Sequence, residues 1–276
     1  MLQIPVFVIA LSGSKRLHLL EEDMKEQGID FSLIEAIDGK NIELEDCREI
    51  FNPTGTFARL GYQISAPLLG CALSHNFVYE TASKLDKEWI VVLEEDVRLK
   101  KKFLDKIEFL IENFASDEPI ICMLFTRGNR FVKRETFSEG ISGRFIFDFA
   151  SIPGQTAAYL INKRALELAI HNKVVCGPPD WPNWSYPVQF KGTYPFLVEE
   201  TGEQSSIGTP PLSRLSYWAR NISILTGVHF FRYRRHYENL QCYTLFELKP
   251  FFYRILWKIK GSKLFPPGKD EGLWIL

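Results

Sequence analysis

The stretch Trp89-Ile90-Val91-Val92-Leu93-Glu94-Glu95-Asp96 constrains this chain more than any other. Its five apolar residues read as a buried strand, and a strand apolar on both faces belongs in a parallel sheet covered on both sides. It then ends in three consecutive carboxylates. Like charges placed side by side repel, an arrangement that makes sense where a cation is to sit. In extended backbone Glu94 and Asp96 project to one side and Glu95 to the other. Glu94 and Asp96 are therefore expected as paired oxygen ligands for Mn2+ or Mg2+, hard cations that share their ligands with a diphosphate. The same acids also fit a solvated loop after a core strand.

The surrounding pattern alternates strand and helix. Residues 4–11 form an apolar run, and 14–28 carry Leu17, Leu20 and Met24 at helical spacing before a glycine. Residues 31–37 read as a second strand ended by Asp38-Gly39, and Gly70 opens a helix containing Leu73, Phe77 and Ala82. Further strands are expected at 120–125, 145–149 and 157–161, the last feeding a helix over 163–170. This alternation predicts an α/β fold with a mostly parallel sheet and a ligand site at the carboxyl ends of its strands.

Other chemistries lose ground by what is missing. There is no GxGxxG turn, no GxxxxGK[ST] loop and no GxSxG elbow, which disfavours a dehydrogenase, a P-loop enzyme or an α/β-hydrolase. The five cysteines, at 47, 71, 122, 176 and 242, contain no CxxC pair, so neither a disulfide framework nor a structural zinc site is expected. The run over 4–11 has no basic flank or cleavage site, and no stretch reaches membrane-spanning length; the expected location is cytoplasmic. A net charge of -1 speaks against a nucleic-acid partner.

Charge divides the chain near Pro210-Pro211. Residues 1–211 carry 22 basic against 30 acidic side chains, whereas 212–276 carry 11 against 4 and hold 14 of the 38 aromatics. We therefore read 1–211 as the main domain and 212–276 as a basic, aromatic, helical extension. Within it, Arg254 and Lys258 stand at i,i+4 among apolar residues over 251–260, a composition suited to a helix in a membrane interface. A helix packed on the main domain, or on a second copy in a homodimer, fits equally.

Four stretches resemble, in order, the motifs of glycosyltransferase family 25, which includes bacterial lipooligosaccharide galactosyl- and glucosyltransferases and collagen galactosyltransferases. They are Val6-Phe7-Val8-Ile9 with Arg16 downstream, Glu35-Ala36-Ile37-Asp38-Gly39, Leu69-Gly70-Cys71-Ala72-Leu73-Ser74-His75, and Val92-Leu93-Glu94-Glu95-Asp96. A fifth, Gly154-Gln155-Thr156-Ala157-Ala158-Tyr159-Leu160-Ile161, is similar to the family's Gly-Thr-x-Ala-Tyr-Leu-Ile strand. The chain departs from the pattern at Ala10, where the family usually has Asn, and at Glu95, where it more often has Asp. The first departure leaves the nucleotide contact at that strand end open; the second is tolerated if the middle acid points away from the metal.

The resemblance implies a GT-A type, Rossmann-like nucleotide-diphosphosugar fold, a UDP-sugar donor, a divalent metal and inversion at the anomeric carbon. It implies donor contacts at Leu11, Arg16, Asp38, Gly70, Ser74, His75, Glu94, Glu95, Gln155 and Thr156, with Glu94 and Asp96 on the metal. Inversion needs a carboxylate on the face of the sugar opposite UDP to take the acceptor's proton. Asp180, in Cys176-Gly177-Pro178-Pro179-Asp180-Trp181 with Trp184 close behind, is the candidate, since aromatic faces make a platform for sugars. Asp180 could instead form a turn or complete the metal or donor site, with Glu199 or Glu200 as the base. The expected activity is transfer of a hexose, galactose before glucose, to the oligosaccharide of bacterial lipooligosaccharide at the cytoplasmic face of the inner membrane. The rival readings are a sugar nucleotidyltransferase and a catalytically silent sugar-binding or scaffolding protein.

Overall fold

The structure is a computed structural model that describes residues 3–47, 49–51, 64–114, 117–126, 129–132, 138–139, 145–149, 153–171, 175, 188–202, 262–263 and 272–275. The first strand, β1 (Val6–Ala10), is buried along its whole length, as its unbroken apolar sequence requires. It lies between β2 (Ser32–Glu35) and β3 (Trp89–Glu94), parallel to both. The register pairs Ile9 with both Ile34 and Glu94, so the carboxyl ends of three strands finish level at one edge of the sheet.

The sheet continues through β9 (Ala158–Asn162), β5 (Ile120–Met123), β10 (Gln189–Tyr194), β8 (Phe145–Asp148) and β7 (Ser138–Glu139). Six of its eight strands run one way, with β9 and β8 reversed. The expected mostly parallel sheet is present, with two of its strands reversed. An apolar run records burial but not direction, so the reversal of 158–162 left no mark in its sequence.

Alternate side chains of β1 and β3 feed two cores. Val6, Val8, Val91 and Leu93 meet Leu20 and Met24 of helix α1 (Leu17–Glu26) and Phe103, Ile107 and Leu110 of α3 (Phe103–Glu112). On the other face, Phe7, Ile9, Ile90 and Val92 meet Val78, Tyr79 and Ala82 of α2 (Ala66–Ala82) and Ala165, Leu166 and Ala169 of α4 (Lys163–His171). Each fully buried Leu, Val or Ile contributes roughly 1.5–3 kcal/mol, so these layers fix where the strand ends fall. Asn162 ties one helix to the sheet: its Oδ1 accepts from Ala165 N and from Ile120 N, both at 3.0 Å.

Helix α2 begins at Ala66, earlier than the sequence pattern indicates, and Phe77, expected inside, is 51% exposed. Beyond the main sheet, β4 (Val97–Leu99) pairs with β11 (Val198–Glu200). The described parts of the extension are strands: β13 (Gly272–Ile275) pairs with β12 (Ser262–Lys263) and, in parallel, with β6 (Asn129–Val132). The segment 251–260, read above as an interfacial helix, lies outside the described residues.

Candidate functional site

The level ends of β1, β2 and β3 open into a cleft. Its walls include Leu11 and Arg16 after β1, Ile37 and Asp38 after β2, Cys71, Ser74 and His75 of α2, and Glu94, Glu95 and Asp96 after β3. The structure thus brings together most of the residues that the sequence singled out. Two glycines make the wall thin. A Cβ on Gly70 would stand 2.5 Å from Ile37 O, and one on Gly39 would stand 2.3 Å from Ala66 O, so only glycines allow α2 to approach the turn after β2. Ser74 clamps the same contact, donating to Gly70 O at 2.7 Å and accepting from Ile37 N at 2.9 Å. Gly70 and Ser74 therefore act on the scaffold of the cleft. Asp38 accepts from Lys40 N at 3.0 Å and caps the short helical turn Gly39–Asn41.

The three acids take different paths from those extended backbone predicts. Strand β3 ends at Glu94, and Glu95 and Asp96 form a turn into β4. Alternation stops there, and all three residues line the cleft. Glu95 is 4% exposed and fully engaged: it accepts from Leu11 N at 3.0 Å and pairs with Arg16. Arg16 reaches on to Asp96 Oδ2 at 3.5 Å. Glu94 accepts from Thr156 Oγ1 at 2.6 Å and lies 3.3 Å from His75 Nε2. Desolvation would raise its pKa, but the hydrogen bonds and positive charge from His75, with Thr156 and Arg16, outweigh it and hold Glu94 below its ordinary value.

Asp96 stands apart from the other two. Its Oδ1 is buried without a hydrogen-bond partner. Desolvation, then the charge of Glu94, with a further contribution from Glu200, pushes its pKa up to about 6 against the pull of Arg16. The hydroxyl of Thr201 is likewise buried and partnerless, and Thr201 N donates to Asp96 O at 2.9 Å. A buried carboxylate oxygen with no donor, beside a second carboxylate, is an arrangement that a divalent cation would complete. Glu94 and Asp96 thus have the right chemistry to hold Mn2+ or Mg2+.

Several residues stand differently from their sequence reading. Thr156, 3% exposed, spends its hydroxyl on Glu94, and Gln155, at φ 79°, is not among the residues lining this cleft. Glu199 and Glu200 lie on β11, opposite Arg98 and Val97. Asp180 lies outside the described residues. Sequence reasoning missed Cys71, Lys40 and Thr201; for Cys71, the i,i+4 spacing to His75 was the available signal. It also missed Tyr159, whose hydroxyl sits 2.9 Å from His75 Nδ1 across 84 residues of chain.

The model of glycosyltransferase family 25 (LPS biosynthesis protein) matches residues 3–172. Procollagen galactosyltransferase 2 of Homo sapiens is 30% identical over 113 residues, which is 39% of this chain and 18% of that protein. Among solved structures, a glycosyltransferase involved in glycosylation of the major capsid of PBCV-1 aligns with 59% of this chain and 62% of its own, at 16% identity and a TM-score of 0.26. The inositol-1-phosphate CTP transferase from T. maritima aligns with 79% of this chain and 94% of its own, at 11% identity and a TM-score of 0.34.

Proposed function

The chain belongs to glycosyltransferase family 25, and on that footing we propose that it transfers a hexose, galactose in preference to glucose, from a UDP-sugar to the oligosaccharide of bacterial lipooligosaccharide. The observation that carries this reading is the partnerless, buried Oδ1 of Asp96 beside Glu94 in a cleft at the sheet's carboxyl edge. A carboxylate so placed costs the fold free energy and is best accounted for by a ligand. The family description and the galactosyltransferase named among the relatives support transfer, and galactose as the sugar.

In this reading Glu94 and Asp96 hold Mn2+ or Mg2+. The cation supplies positive charge against the diphosphate as UDP leaves. Glu95 has a different part: through Leu11 N and Arg16 it fixes the end of β1 against the end of β3. Arg16, between Glu95 and Asp96, sets the charge that Asp96 feels. Asp38, at the end of β2, lies where a uridine would enter, and Ile37, 41% exposed, offers it an apolar surface. Asp180 takes the acceptor's proton on the opposite face of the sugar, with Glu199 or Glu200 in that role if Asp180 does not serve.

A lipid-linked acceptor fits the basic aromatic composition of 212–276. Among the described residues no helix is long and apolar enough to cross a membrane. Contact with the cytoplasmic face of the inner membrane would run through this extension.

The test is to incubate the chain with lipooligosaccharide, Mn2+ and either UDP-galactose or UDP-glucose, and to read UDP release and the mass gained by the acceptor. The expected result is one hexose added, more readily from UDP-galactose. UDP binding without release on any acceptor would mark a silent sugar-binding protein. Pyrophosphate release from UTP and a sugar phosphate would mark a nucleotidyltransferase.

A further inference from the structure

We propose that Cys71, His75 and Glu94 form a binding site for a thiophilic divalent cation, zinc above all, separate in donor chemistry from the carboxylate site at Asp96. One ligand atom from each, the Cys71 thiol, a His75 ring nitrogen and a Glu94 oxygen, all lie within 4.8 Å of one another. Cys71 and His75 stand at i,i+4 on one face of α2, the spacing by which a helix presents two ligands to one metal. Glu94 reaches them from the end of β3. All three line the cleft, so a cation has a way in and a fourth position remains for water or an anion. Tetrahedral zinc, at bond lengths of about 2.0–2.3 Å, needs its ligand atoms roughly 3.5 Å apart. Binding would draw the three ligand atoms together from the 4.8 Å within which they already lie.

The hydrogen bonds around His75 favour the metal-binding form of its ring. The Tyr159 hydroxyl donates to Tyr79 at 3.1 Å, which leaves its oxygen to accept from His75 Nδ1 at 2.9 Å. Nε2 then faces Glu94 Oε1 at 3.3 Å, across a gap filled by a proton in the metal-free chain and open to a cation in its place. Two acceptors that close need a proton or a cation between them. A fixed partner on the far ring nitrogen is the usual companion of a metal-bound histidine, and Thr156 steadies Glu94 in the same way at 2.6 Å. The sulfur decides the class of ion, because thiolate with imidazole selects zinc over magnesium or manganese. If Glu94 also serves the donor's cation, zinc opposes donor binding; that consequence rests on the proposed function, while the site itself does not.

Titration of the metal-free full chain with Co2+ and then Zn2+ tests the site without any turnover. One equivalent of Co2+ should give the thiolate-to-cobalt charge-transfer band and the intense visible bands of a four-coordinate ion, and Zn2+ should displace it. Cys71→Ser should lose the charge-transfer band and Cys47→Ser should keep it, with circular dichroism confirming that both fold. A second measurement needs no variant: zinc should protect Cys71, and not Cys47, from alkylation in the wild-type chain, read by peptide mass. No thiolate band in the wild type, a band that survives Cys71→Ser, or equal alkylation of Cys71 with and without zinc would each overturn the proposal.

Discussion

Strand β4 has an aspartate at each end, and the fold treats the two in opposite ways. At one end Asp23 of α1 is 7% exposed and saturated. Its Oδ1 accepts from Arg98 Nη2 at 2.6 Å, and its Oδ2 from Arg98 Nε at 2.7 Å and Leu99 N at 2.8 Å. At the other end Asp96 has one oxygen buried without a partner and the other 3.5 Å from Arg16. The same residue type thus locks a helix to a strand in one place and burdens the fold in the other. A chain that delivers three donors to one carboxylate leaves one oxygen of the next without any.

The largest expected effect is at the open end. Asp96→Asn should lower hexose transfer by about a thousandfold or more, as loss of several kcal/mol of charge stabilisation implies, while leaving thermal stability equal or higher. A variant that loses activity only because it melts would erase the contrast with Asp23. At the saturated end Asp23→Ala should cost about 2–4 kcal/mol in urea denaturation, because Arg98 and Leu99 N lose their acceptor, and transfer per folded molecule should persist. A silent substitution there would remove the structural half of the comparison.

The pH dependence sharpens the difference. The folded pKa of Asp96, about 6, lies above the ordinary 3.8, so between these values the folded chain holds more protons than the unfolded one. Stability from this group is present at low pH and lost as pH rises through the folded value, by roughly 3 kcal/mol in the metal-free protein. The slope between about pH 4 and pH 6 should vanish in Asp96→Asn, and Mn2+ should restore stability at neutral pH in the wild type. An unchanged slope in the variant would show that Asp96 does not carry the strain. The smallest effect belongs to Glu95→Gln. The amide oxygen still accepts from Leu11 N, while the NH2 faces Arg16 and both the charge and the hydrogen bond of that pair are lost, so transfer should fall about tenfold. Losses at Glu95 equal to those at Asp96 would mean that the two carboxylates share one role.

How far the sequence was legible depended on how local each determinant was. The unbroken apolar runs of β1 and β3 announced buried strands, and the acids after Leu93 announced the acidic wall of the cleft, because burial and charge are written residue by residue. The turn after Glu94 was not legible, since nothing in Glu94-Glu95-Asp96 says where extension ends; hence Glu95 was expected to point away and instead bridges to β1. Helix α2 is apolar on nearly every side, so periodicity could not tell that Phe77 faces solvent while Tyr79 is buried. Ser74 and His75 read as donor contacts, yet Ser74 is spent on the backbone of Gly70 and Ile37. His75 finds its partner Tyr159 on β9, a strand whose place beside β3 no local pattern records.

The central claim, a nucleotide diphosphate held through a cation on Glu94 and Asp96, is tested most directly by calorimetric titration of UDP into the full chain with and without Mn2+. The account predicts that Mn2+ tightens UDP binding strongly in the wild type and that Asp96→Asn abolishes the gain while remaining folded. Equal UDP affinity with and without the cation, or a gain that survives Asp96→Asn, would contradict it.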